Sequence, residues 1–234
     1  LFIGTISDIE IISENEFFGD RPPATLDQFK AWPFRTTCSL WIEFPTSSGT
    51  GSGTVLANFE QVVTCAHNLY DPAKGGYAKS IMAAFPDALA TDLNHKLQVK
   101  AFPIQNDKYS FIDTHFKSLV DSGNNPADYP ESDWGMFTLE KEFKVTRLDK
   151  IYQGKVGFVT GQLNQLCTPA LTENVTKVIS VGYPAELGVG IMAIGNGLIT
   201  KLYGNTPKLT HDVKGGSGNS GGNVISDMDL PNHK

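Results

Sequence analysis

Short runs in which apolar and polar side chains alternate constrain this chain more than any other feature. In "TCSLWIEF", Cys38, Leu40, Ile42 and Phe44 fall on one face and Thr37, Ser39, Trp41 and Glu43 on the other. Successive side chains point to opposite faces only in an extended strand, so a period of two reads as a half-buried strand. "SGTVLA", "QVVTC", "KLQVKA", "WGMFTL", "KVGFVT" and "TKVISVG" are similar β-branched or aromatic runs bounded by Gly, Asn, Asp or Pro. Helical periodicity is weak and is confined to "FIDTHFKSLV", Phe111–Val120. Many short strands without interleaved helices predict an all-β sandwich or barrel.

The 234 residues suit one large β-domain or two small ones packed together, and 23 Gly with 13 Pro supply many turns. A net charge of -6, from 19 basic and 25 acidic side chains, argues against nucleic acid or an anionic membrane as the main partner. No apolar run reaches the roughly 18 residues that a membrane span needs. Three cysteines (Cys38, Cys65 and Cys167) are too few for a disulfide scaffold, and the odd count leaves at least one unpaired. The triplet Asn174-Val175-Thr176 is an acceptor for N-linked glycosylation. The compartment stays open, with a lean toward a secreted, extracellular protein. A start at Leu1 without Met or leader is expected of a processed or trimmed chain.

Between Tyr70 and Glu131 the chain is richer in Pro, Gly, Asn and Asp, which predicts long surface loops around one or two strands. The charged run "EKEFK" (Glu140–Lys144) reads as a solvated connection between two halves, residues 1–150 and 151–234.

The segment Lys214–Val224, "KGGSGNSGGNV", is either a flexible linker or a rigid loop that holds a serine. A linker rarely lies between strand-like segments such as "KLTHDV" and "GNVIS". Two other stretches bear on the choice. "VVTCAHNL" places His67 after a buried-looking strand, and "ESDWGMFTL" places Asp133 at the start of another. Singly, His67 is an ordinary strand-end histidine and Asp133 a turn residue, with Asp107, Asp113 and Asp128 as rivals for its role. Jointly, the chain order His, Asp, Ser is one of the known orders of a Ser-His-Asp triad. The "TGSGT" glycines lack the helix and Lys-Ser/Thr of a phosphate loop. His95, His115, His211 and His233 lack mutual ligand spacing and read as surface residues, so zinc is not expected.

These stretches resemble the chymotrypsin-fold serine proteases. "TCAH" is similar to the Thr/Ser-x-Ala-His motif of that family, "DWGMF" to its aspartate-bearing strand, and "GNSGG" to the Gly-x-Ser-Gly-Gly around its nucleophile. "WPFRTTCSLW" and "GTGSGTVLANFEQVVTCAH" resemble the opening strands of the first barrel. "VISVGYPAELGVG" resembles the Gly-Tyr-Pro stretch of the V8-like, glutamyl-endopeptidase branch. The resemblance runs from about Trp32 to Ser226. It implies two antiparallel six-stranded β-barrels with a cleft between them, the first supplying His67 and Asp133 and the second Ser220. His67 would take the Ser220 proton, Asp133 would fix the imidazole tautomer, and the N–H groups of Gly218 and Ser220 would form the oxyanion hole. The implied activity is endopeptidase hydrolysis through an acyl-enzyme, on polypeptide substrates, without metal or organic cofactor.

The chain also departs from the family. The His-to-Asp interval is longer than usual. Asn219 stands where trypsin-type enzymes carry an aspartate, so activation by a freed ammonium is not expected; the V8-like branch shares this Asn, and there the mature N-terminus can take part in recognition. Lys214 occupies the place near the floor of the primary specificity pocket, where it would favour an acidic side chain before the cut; alternatively it points to solvent. Few residues follow Ser220, so the second barrel is incomplete within this chain, and a second polypeptide following Lys234 is expected. Cys38 and Cys65 would face each other and pair, with Cys167 free. Two rivals remain: a protease-like binding protein that has lost turnover, and an esterase with the same machinery.

Overall fold

In the computed structural model the described residues are 2–5, 22–31, 34–56, 60–87, 89–105, 107–125, 128–140, 172–203, 208–211, 213, 215 and 217–226. The strands in chain order are β1 (Phe2–Thr5), β2 (Thr37–Glu43), β3 (Ser48–Val55), β4 (Gln61–Thr64), β5 (Tyr70–Asp71), β6 (Gly76–Tyr77) and β7 (Ser80–Pro86). They continue as β8 (Lys96–Lys100), β9 (Ser110–Ile112), β10 (Gly135–Thr138), β11 (Lys177–Gly182), β12 (Ala193–Tyr203), β13 (Lys208–His211) and β14 (Asn223–Ser226). Two short helices, α1 (Leu26–Lys30) and α2 (Thr114–Asp121), accompany them. Among the described residues no helix is long and apolar enough to cross a membrane.

The first sheet runs β8-β7-β2-β3-β4-β10-β9, with every pair antiparallel. It curls until its far strands meet. Ala101, just past β8, bridges Leu139, just past β10, while Phe102 N–H donates to the Thr138 carbonyl at 2.9 Å and Glu140 N–H to Lys100 at 2.9 Å. Six strands thereby close into a barrel, and β9 adds to the other end of β10. Closure leaves β8 and β10 no open edge over this stretch. The alternation in "TCSLWIEF" does what its period requires: Cys38, Leu40, Ile42 and Phe44 point into the barrel, and Trp41 points out. Phe85 and Phe137 fill the same interior, each completely buried and each contributing about 1.5–3 kcal/mol.

The second sheet runs β1-β14-β11-β12-β13. Among the described residues its outer strands, β1 and β13, do not pair with each other, so this barrel is only partly built. Its inner face packs Ile179, Val181, Ile194 and Ile225 against Phe29 of α1 and Met192. Thr25 opens α1 with a capping box: its hydroxyl accepts from Gln28 N–H, and the Gln28 side chain accepts from Thr25 N–H.

Two expectations need correction. Residues Tyr70–Glu131 carry five strands, β5 to β9, and helix α2 rather than one or two strands among loops; the turn-forming residues sit between closely spaced short elements. Cys38 and Cys65 are both free and buried. Cys38 lies on β2 beside Gly53 of β3, and Cys65 follows β4 on the far side of β3. Two strand spacings of about 4.8 Å exceed the Cα separation, at most about 7 Å, that a disulfide spans. "KVGFVT", Cys167, His233 and most of "EKEFK" lie outside the described residues.

Candidate active site

β4 delivers His67. After Thr64 the chain leaves the barrel as a single helical turn, Ala66–Asn68, packed on the buried Ala66. β10 is paired with β4 in register, Gly135 opposite Thr64, so the residues just before β10 lie beside those just after β4. Asp133 therefore meets His67. Its Oδ2 is 2.6 Å from His67 Nδ1, and its Oδ1 accepts from the His67 backbone N–H at 2.9 Å. Because a carboxylate accepts, Nδ1 carries the proton and the Nε2 lone pair is left for other work. Asp133 is buried and the His67 side chain is 32% exposed, so the pair is shielded from one side and reachable from the other.

Asp113 does not compete for this place, because its carboxylate caps α2 by accepting from His115 and Phe116 N–H. Asp107 and Asp128 are exposed. His95 and His115 are exposed too, while His211 is half-buried.

The Gly-rich loop is fixed against the first barrel. Ser52 of β3 donates its backbone N–H to the Ser220 carbonyl at 2.9 Å and its hydroxyl to the Gly218 carbonyl at 2.9 Å. Asn68, the neighbour of His67, donates its side-chain amide to Ser220 O at 3.1 Å. The loop residues Gly218 and Gly221 have φ of +83° and +88°, a region L side chains rarely enter. At Gly221 a Cβ would stand 2.2 Å from Ser52 O and 2.4 Å from Thr64 Oγ1. The loop is rigid because both its backbone conformation and its closeness to β3 and β4 demand glycine. The side chain of Asn219 turns into the protein, where its Oδ1 is buried against Gly182 without a hydrogen-bond partner among the described residues.

Cys65 joins the two parts. Its Sγ lies with the His67 and Asp133 ligand atoms inside 4.8 Å, and it makes a hydrogen bond with the backbone of Gly221. Burial, and then the Asp133 charge, push its thiol well above the usual range despite that bond. The three side chains are close enough to be considered for one metal ion. Nδ1 of His67, however, is already hydrogen-bonded to Asp133 at 2.6 Å, so these two side chains have each other as partners.

Comparison with known proteins bears on what this arrangement is. No family model and no curated protein matches the chain. Solved structures do. A Glu endopeptidase superposes with a TM-score of 0.59 at 15% identity, covering 89% of this chain and 80% of its own. The thermostable serine protease AL20, from an extremophilic microorganism, gives 0.53 at 15% identity, with 82% and 79% covered. HL collagenase gives 0.52 at 15% identity, with 82% and 76% covered. The chain has the chymotrypsin-type fold.

Within that fold, His67 and Asp133 come from the first barrel and the Ser220 loop joins β13 to β14 of the second sheet. Lys214 lies outside the described residues. Ser52 and Asn68 were not singled out from sequence. Asn68 directly follows His67, which was a usable signal. The partnership of Ser52 with Gly218 spans 166 residues and leaves no local trace.

Proposed function

We propose that the protein is a serine endopeptidase, with Ser220 as nucleophile, His67 as general base and Asp133 as the group that holds the imidazole. The observation carrying this reading is the doubly hydrogen-bonded His67–Asp133 pair, set beside a glycine-constrained loop whose Ser220 carbonyl is bound by the residue next to His67. His67 Nε2 takes the Ser220 proton as Oγ attacks the scissile carbonyl, and the imidazolium then protonates the leaving amine. The N–H groups of Gly218 and Ser220 stabilise the oxyanion, each donor contributing about 3–4 kcal/mol in sites of this type. Water repeats the sequence on the acyl-enzyme. Lys214, six residues before the nucleophile, is the candidate for selecting an acidic side chain on the acyl side; one structural neighbour is a Glu endopeptidase. The sequon at Asn174 supports a site of action outside the cell.

The test is intact-mass and peptide analysis after treatment with a fluorophosphonate probe. One adduct on the Ser220 peptide, absent in Ser220→Ala and His67→Ala, together with hydrolysis of casein, is the expected result. A folded protein that forms no adduct is instead a binding protein built on a protease fold. An adduct with ester but no peptide turnover makes it an esterase.

A further inference from the structure

A groove of about 470 Å³ lies between the outer face of the first barrel and the Ala185–Gly190 turn of the second lobe. Its floor follows a register row. Ser52 of β3 pairs with Ser39 of β2, Ser39 with Ala84 of β7, and Ala84 with Gln98 of β8. Ser52 is the residue that holds Gly218, so the row begins under the Gly-rich loop and runs outward for three strand spacings, about 14 Å. Trp41, 51% exposed, forms one apolar wall and Val189, 71% exposed, the other. At the inner end, Thr50 Oγ1 lies 3.3 Å from where a Gly218 Cβ would be, so the groove opens directly onto the candidate oxyanion site.

Among the described residues Lys96 is the one cationic side chain lining this groove. It is half-buried; its ammonium donates to the Gly190 carbonyl and stands 5.5 Å over the Tyr183 ring. No carboxylate among the described residues pairs with it, and burial alone holds its pKa below the usual lysine value. An ammonium has three donors, and one carbonyl satisfies one of them. A partly desolvated cation with donors to spare, in a protein of net charge -6, is a position suited to an incoming carboxylate.

We propose that this groove takes the leaving-group half of a polypeptide substrate and that Lys96 selects an acidic side chain there. The inference rests on the endopeptidase reading, in which the acyl half enters the primary specificity pocket and the other half crosses Gly218 toward Thr50. A Cβ at Gly190 would stand 2.6 Å from the Lys96 ammonium and 3.8 Å from Ser39 Oγ, so the ammonium lies over the Ser39 part of the row, one strand spacing from Ser52; at about 3.3 Å per residue the carboxylate belongs within the first three residues after the cut.

Internally quenched decapeptides in which one Glu is walked through the positions after the cut, each paired with its Gln counterpart, test this. The expected result is a kcat/KM ratio of Glu over Gln of about tenfold at one of the first three positions, the size of one charge-assisted hydrogen bond. The ratio should fall to near one in Lys96→Met and persist in Lys96→Arg. A ratio near one in the wild type, or one that survives in Lys96→Met, overturns the proposal. The fluorophosphonate adduct separates the two readings: an adduct without acidic preference defeats the groove alone. Without adduct and turnover, the same peptide pairs are followed by tryptophan fluorescence, with Trp41→Phe as control. Glu-selective binding lost in Lys96→Met keeps the carboxylate pocket, and equal binding removes it.

Discussion

Ser52 and Gly218 meet across the two lobes: the Ser52 hydroxyl donates to the Gly218 carbonyl at 2.9 Å and itself accepts from the Tyr183 N–H at 2.9 Å. Both partners are buried, so Ser52→Ala leaves a carbonyl and an amide without their bond. The expected cost is about 1–3 kcal/mol in urea unfolding, with slower probe labelling at Ser220. An unchanged unfolding midpoint would show that the hydroxyl does not fasten the loop.

Gly221 and Gly123 share a positive φ, +88° and +81°, but differ in surroundings. A Cβ at Gly123 meets nothing within 4 Å, whereas at Gly221 it strikes the Ser52 backbone oxygen. Gly123→Ala should therefore cost only the backbone term, about 1–2 kcal/mol, and label normally. Gly221→Ala should cost more and abolish labelling. Equal effects from the two substitutions would contradict the close packing of the loop on β3.

Cys38 and Cys65 should resist iodoacetamide at pH 8 in the native protein and react only on unfolding. Burial raises the Cys38 thiol far above the usual range, and burial with the Asp133 charge does the same for Cys65. Peptide mapping without reductant should find no bridge between them. Rapid native alkylation of Cys65 would mean that the floor beneath His67 is open.

The Tyr70 hydroxyl donates to Asp121, which also receives Lys117, tying α2 to the β5 ribbon. The bond to Asp121, and then burial, raise Tyr70; the bonds from Lys117 and then Tyr70 lower Asp121. The Asp121 contribution is complete above about pH 4 and is lost as pH falls through its lowered value; that of Tyr70 is complete below about pH 10 and is lost as pH rises through its raised value. The urea-midpoint difference between wild type and Asp121→Asn should be constant at neutrality and shrink at both extremes. A difference independent of pH would refute the coupling.

The first barrel was legible because period-two burial is local: Leu40, Ile42 and Phe44 announce their face within a few residues. α1 was missed although Thr25 and Gln28 form a capping box, since five residues give too little periodicity to register. His67, Asp133 and Ser220 stood out through their neighbours. The anchoring by Ser52 and the placing of Lys96 over the Tyr183 ring depend on strands far apart in the chain, and no spacing in the sequence encodes them. The expected disulfide failed for the same reason, because nothing local reveals that β3 separates the two cysteines.

β14, the strand that follows the Ser220 loop, is clasped between β1 and β11. The sheet that carries the Ser220 loop is therefore assembled from strands far apart in the chain, and residues 223–226 must leave the ribosome before it can form. The barrel that carries His67 and Asp133 can thus close while the Ser220 loop still has no framework to hold it.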